Sequence, residues 1–199
     1  MTLVALIRHG PTAWNEQRRT QGHRDIPLSE KGRAEVSRWR VPKTLEGVRV
    51  VASPLSRATE TALLLFGRAP EIEPRLIEMN WSAWEGRTLA ELRVEHGSAF
   101  TANEARGLDF RPAGGESPRE VRRRIAPWLA EVARAGEPVA AVTHLGVIRA
   151  LTSLALDWDM TGEPPVKLRR AAAHGFAVAP DGLVTVERLN LPLDEGPAP

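Results

Sequence analysis

LVALIRHGPTAWN, residues 3–15, decides the fold. Five apolar residues, Leu3 to Ile7, run without interruption and give way at once to Arg8, His9, Gly10 and Pro11. A short apolar run of this kind reads as a strand buried on both faces, which is the signature of a parallel sheet. Val48 to Ala52 and Val139 to Val142 are two more such runs. Between them lie helical patterns. Ser117 reads as an N-cap with Pro118 in the first helical position and Glu120 closing a capping box. Val121, Ile125, Trp128, Leu129 and Val132 then share one face, and Gly136 ends the helix. Thr88 and Glu91 open another helix in the same way. Strands alternating with helices predict an α/β fold, a mostly parallel central sheet with helices on both faces. The Pro180-Asp181-Gly182 turn predicts a hairpin return and with it an antiparallel edge strand.

The chain has 199 residues, 42% of them hydrophobic, enough for one well-cored domain. We expect a single domain over residues 1–191 and a flexible tail over 192–199, PLDEGPAP, which has little to bury. Cysteine is absent, so thiolate nucleophiles, disulfides and cysteine metal sites are excluded. With 27 basic against 25 acidic side chains, the net charge of +2 argues against nucleic-acid binding by bulk charge. The first apolar run is too short to span a membrane and lacks the flanks of a signal peptide. A cytoplasmic protein with no nucleic-acid or membrane partner is expected.

The three apolar runs end in Arg8-His9-Gly10, in ASPLSRA with Arg57, and in VTHLG with His144. In open α/β sheets the loops at the carboxyl ends of the strands converge on one crevice, so two histidines and two arginines would meet there. Ser53 and Pro54 read as the cap and first position of a helix with Arg57 in its first turn, and Gly146 starts the helix after His144. Helix N-termini attract anions and guanidinium forks bind phosphate oxygens, so the crevice suits a phosphoryl group. No Walker loop, EF-hand or HExxH pattern suggests a nucleotide or metal site. A neutral imidazole can attack phosphorus if fixed cations meet the charge on the equatorial oxygens. Spacing does not say which histidine attacks. Glu78 and Glu85 flank the same Trp81 to Trp84 turn, and either carboxyl could serve as the acid.

LIRHGPTAWN resembles the RHGxTxWN signature of the histidine phosphatase superfamily, the phosphoglycerate mutase-like fold. The match continues in order through QGHRDIPLSEKGRAEV, ASPLSRATETA, IEMNWSAWEGRTLAEL, AGGES and VTHLGVIRAL. The resemblance implies a two-step reaction through a phosphohistidine, with no metal and no cofactor. It makes His9 the nucleophile, Arg8, Arg57 and His144 the phosphate clamp, and Glu78 the proton donor. Asn15, Gln21 and Gly22 match positions that line the same pocket. Leu145 stands where the family has glycine; its amide can still meet phosphate while its side chain narrows the pocket or turns away. Ser82 and Asn80 also depart from the usual glycine and aspartate. The expected substrate is a small phosphoester, cleaved by a phosphatase. A phosphoglycerate mutase, an alpha-ribazole phosphatase and a non-enzymatic phosphoprotein-binding module are the alternatives, and the intact proton donor argues against the last. A homodimer is left open. His23, His96 and His174 read as hydrogen-bonded structural residues, and Arg122, Arg123 and Arg124 as the solvated face of the long helix.

Overall fold

The computed structural model describes residues 1–193. Six strands form one sheet: β1 (Thr2–Arg8), β2 (Arg49–Ala52), β3 (Glu71–Ile72), β4 (Val139–Thr143), β5 (Ala172–Val178) and β6 (Val184–Pro192), in the spatial order β3-β2-β4-β1-β5-β6. The first four are mutually parallel, and β5 and β6 run antiparallel. The sheet is mixed and mostly parallel as the apolar runs imply, and β5 and β6 form the antiparallel hairpin expected at one edge.

Side chains alternate across a strand, so an uninterrupted apolar run can be buried only if both faces are covered. Val4 and Leu6 of β1 pack with Val121, Ile125, Ile148 and Leu151 of α5 (Pro118–Ala135) and α6 (Leu145–Ala155). Ala5 and Ile7 face the other way, against Val36 of α2 (Glu30–Val36) and Ala58, Ala62 and Leu65 of α3 (Ser56–Phe66). Each buried aliphatic side chain is worth about 1.5–3 kcal/mol, and a charge at any of these four β1 positions would break the layering. Both expected capping boxes are formed, Ser117 with Glu120 in α5 and Thr88 with Glu91 in α4 (Leu89–Glu104).

Four local expectations are corrected. The helix carrying Arg57 begins at Ser56 with Leu55 at the N-cap, not at Ser53 and Pro54. Ser53 instead prolongs β2, its N–H donating to Val142 O at 3.0 Å. The missing cap comes from a distant loop: Asp25 Oδ1 accepts from Ser56 N at 2.8 Å. Next, α6 begins at Leu145, one residue before Gly146, with His144 at the N-cap. Of Arg122, Arg123 and Arg124 on α5, only Arg123 is exposed. Arg122 donates to Ser153 Oγ, and Arg124 pairs with Glu116 at 2.9 Å. Finally, the chain does not fray from 192. Pro192 closes β6, and Leu193 is 1% exposed with its N–H on Ala171 O and its carbonyl accepting from Arg40 N. Residues 194–199, the rest of the expected tail, lie outside the described residues.

Candidate active site

Three parallel strands in register end at one level. Arg8 pairs with Thr143, His9 N donates to Thr143 O at 3.0 Å, and Ser53 N reaches Val142 O. The residues that follow are therefore brought together. The His9 and His144 rings lie 5.1 Å apart. His9 is 2% exposed, and its Nδ1 lies 2.6 Å from Gly10 O. A carbonyl can only accept, so the proton sits on Nδ1 and the free lone pair on Nε2. Burial, then the cations Arg8 and Arg57, holds the His9 pKa well below the usual imidazole range, which keeps the ring neutral.

Arg57 and His144 stand behind this ring. Arg57 is fully buried, and each of its nitrogens makes one hydrogen bond: Nε on His144 Nδ1 at 3.3 Å, and the two terminal nitrogens on Arg24 O and Gly22 O, both at 2.9 Å, which leaves a second N–H on each terminal nitrogen. Because Arg57 can only donate, His144 carries its proton on Nε2 and gives it to Ser53 Oγ at 2.7 Å. The His144 pKa is also pushed well down, by burial and then by Arg57. The loop bearing Gly22 is locked from its other side by Glu85, whose carboxylate accepts from His23 N at 2.8 Å and Arg24 N at 3.0 Å. A Cβ on Gly22 would sit 2.0 Å from Glu85 Oε1, so only glycine fits.

Glu78 is placed quite differently from Glu85. Its Oε1 accepts from Met79 N at 2.8 Å and from Gly146 N, in the first turn of α6, at 3.1 Å. A side chain at Gly146 would meet Glu78 Oε1 at 2.3 Å. Glu78 is 8% exposed, and burial raises its pKa in spite of these amides and of Arg57. Of the two carboxyls left open by spacing, Glu78 lines a pocket of about 350 Å³ with Arg8 and His9; Glu85 is a loop anchor outside it. Asn15, Gln21 and Leu145 line the same pocket, whereas Gly22 contributes its carbonyl to Arg57 from behind. Gln21 Oε1 accepts from Thr12 Oγ1, and its amide N–H groups have no partner among the described residues. Arg57 and His144 are not part of this pocket's wall. The four basic residues of the expected clamp are gathered around one point, Arg8 and His9 on the pocket wall and Arg57 and His144 packed against the His9 ring.

The sequence profile of the histidine phosphatase superfamily (branch 1) matches residues 4–191. The chain belongs to that superfamily. Among its relatives is the metal-independent phosphoserine phosphatase of Arabidopsis thaliana, 35% identical over 162 residues, covering 76% of this chain and 67% of the relative. The 2,3-bisphosphoglycerate-dependent phosphoglycerate mutase 2 of Gloeobacter violaceus is 31% identical over 166 residues, covering 76% and 74%. A mycobacterial glucosyl-3-phosphoglycerate phosphatase solved in complex with VO3 superimposes with a TM-score of 0.77 at 26% identity, over 96% of this chain and all of the other.

In this histidine phosphatase the pocket is also lined by four arginines that the sequence pattern did not point to, Arg18, Arg19, Arg149 and Arg170. Arg170 lines the pocket, and one of its terminal nitrogens lies 3.3 Å from both His9 O and Asn15 Oδ1. Arg149, on α6, lines it too. Arg170 and burial together lower the Arg8 pKa to about 9, burial being the larger cause. His174 is the hydrogen-bonded structural residue expected, buried in β5 against Arg169 O and Asn190 N, and does not line the pocket. The neighbouring Arg170 does so instead. Trp81 lines the pocket and also packs on Phe110, while Trp84 packs on Phe100 and His96. Ser82 has φ +47°, the left-handed region that favours glycine.

Proposed function

We propose that this protein is a phosphomonoesterase of small phosphorylated metabolites, acting through a phosphohistidine on His9 and without a metal ion. One observation carries the reading. A neutral imidazole with its lone pair fixed on Nε2 shares a pocket with a carboxyl whose pKa is raised and with arginines. The names of the phosphatase relatives point the same way.

In the first step Nε2 bonds to phosphorus, the bond from phosphorus to the ester oxygen breaks, and the departing oxygen takes the proton of Glu78. Arg8 and Arg170 meet the charge on the phosphoryl oxygens, with Gln21 and Asn15 as polar wall. In the second step the Glu78 carboxylate accepts a proton from water as its oxygen attacks phosphorus. The N–P bond breaks, and phosphate leaves with His9 neutral again. Arg57 and His144 hold the electrostatic field behind the ring. The phosphoenzyme of a mutase must be shielded from water; here Glu78, set to activate water, favours hydrolysis.

Rapid acid-free quenching of a turnover mixture should trap an acid-labile phosphoenzyme, and His9→Ala should abolish both it and phosphate release, with EDTA leaving the wild type unaffected. Because the first step needs Glu78 protonated, kcat falls as pH rises through its raised pKa. Glu78→Gln lowers kcat on alkyl phosphates about 10²–10⁴-fold and much less on 4-nitrophenyl phosphate, whose leaving group needs no acid. Full turnover in His9→Ala, or mutase activity exceeding hydrolysis in a side-by-side assay, would overturn the proposal.

A further inference from the structure

Beside the phosphate pocket lies a second cavity of about 450 Å³, large enough for the body of a small ligand. The two share Met79, Trp81, Leu89, Gly146 and Arg149, so they adjoin along this wall. Beyond it the second cavity is walled mainly by apolar residues, Phe110, Pro118 and Met160 among them. Glu104 is its acidic wall residue, and it is already ion-paired with Arg93 at 2.6 Å.

Arg149 sits three residues after Gly146 on α6, hence on the same face, one helical turn of about 5.4 Å along from the amide that holds Glu78. Its guanidinium lies over the Trp158 ring at 5.4 Å, and its Nε is buried without a hydrogen-bond partner. Among the described residues no carboxylate pairs with it. A buried guanidinium donor left unpaired is costly unless a ligand brings an acceptor. Arg8 and Arg170 already flank His9, so Arg149 is a further cation placed toward the departing group.

We infer that Arg149 is a specificity-determining residue that binds a carboxylate on the leaving alcohol, while the apolar body of that alcohol fills the second cavity. The inference rests on the phosphatase reading above. The substrate class is a phosphomonoester of an apolar alcohol that bears a carboxylate several bonds from the ester oxygen. The planar guanidinium fork matches a carboxylate, and the aromatic and thioether wall matches an apolar body.

Three esters test it: 4-carboxyphenyl phosphate, 4-methylphenyl phosphate of nearly the same shape, and 3-phosphoglycerate, which has the carboxylate without the apolar body. The wild type should favour the carboxylated aryl ester over the methyl ester by about tenfold in kcat/KM, expressed in KM. Arg149→Met should erase that ratio and Arg149→Lys restore part of it. Thr101→Trp, at an exposed position on the cavity wall, should penalise both aryl esters relative to 3-phosphoglycerate, and it reads the cavity even if Arg149 variants fold poorly. Hydrolysis of all three esters with no preference, or an equal loss on both aryl esters in Arg149→Met, overturns this inference alone and leaves the phosphatase reading standing. Silence of the wild type toward all three overturns both.

Discussion

Arginine serves opposite ends on the two sides of His9. Behind the ring, Arg57 is fully buried with Nε and both terminal nitrogens bonded to protein atoms. In front, Arg8 and Arg149 each keep a buried Nε with no partner, and Arg170 makes only two contacts at 3.3 Å from one nitrogen. The rear layer is tied to the protein through every nitrogen of Arg57, with one further N–H left on each terminal nitrogen. The front layer has capacity left for a ligand. The same residue type thus contributes to stability in one place and to recognition in the other, and the difference lies in what its donors already touch.

The strongest test of that contrast is Arg57→Met. It would leave Gly22 O and His144 Nδ1 without their donor, while Arg24 O keeps Ile26 N, and each stranded buried acceptor costs about 1–3 kcal/mol. We expect a loss of about 3–5 kcal/mol in chemical denaturation together with loss of turnover. A variant as stable as the wild type would mean that the rear layer is no scaffold.

Burial also makes the folded chain acid-sensitive. His9 and His144 are held neutral well below the ordinary imidazole pKa of 6.5, and burial in β5 lowers His174 to about 4. As pH falls below 6.5 the unfolded chain binds protons that these folded imidazoles refuse. Stability is therefore full above 6.5 and declines below it, by up to about 1.4 kcal/mol per pH unit for each ring. Glu78 works in the opposite sense. Its folded pKa is raised above 4.5, so its contribution is present below that value and lost as pH rises through the folded pKa. Three rings outweigh one carboxyl, and the net loss between pH 6.5 and 5.5 should be roughly 2–3 kcal/mol by urea titration. A flat profile there would break the assignment of neutral, buried imidazoles, and His144→Asn should reduce the slope by close to one proton.

Which features were legible in the sequence follows from geometry. His9, Arg57 and His144 could be placed together because uninterrupted apolar runs announce parallel strands and the carboxyl ends of such strands share an edge. Arg170 could not. It precedes β5, and only the antiparallel direction of β5, which sets Ala173 opposite Ile7, returns the start of that strand to the end of β1. Strand direction is a property of the sheet, not of the residues in it. Ser53-Pro54 has the local chemistry of a helix start, but pairing with β4 and a bond to His144 claim Ser53 first. Arg122 and Arg124 looked solvated because Ser153 and Glu116, which hold them, lie elsewhere in the chain. Glu78 and Glu85 were indistinguishable by spacing around the tryptophan turn. What sets them apart is placement: Glu78 is buried on the pocket wall with His9, and Glu85 holds the amides of His23 and Arg24 outside it.

The smallest effect on stability should come from the front layer, and there it is the most telling. Arg170→Met removes two bonds at 3.3 Å, and one of their acceptors, Asn15 Oδ1, already receives Thr12 N. The substitution also removes a cation that depresses the Arg8 pKa, which relieves repulsion between the two. Its cost in stability should therefore stay within about 1 kcal/mol. Turnover should respond far more, with kcat/KM down about 10–100-fold as a charge-assisted contact to the phosphoryl oxygens is lost, and Arg170→Lys should recover part of it. Arg57→Met and Arg170→Met would then sit at opposite corners of a plot of stability against activity. Should both variants lose stability alike, the front arginines would be structural too, and the division around His9 would collapse.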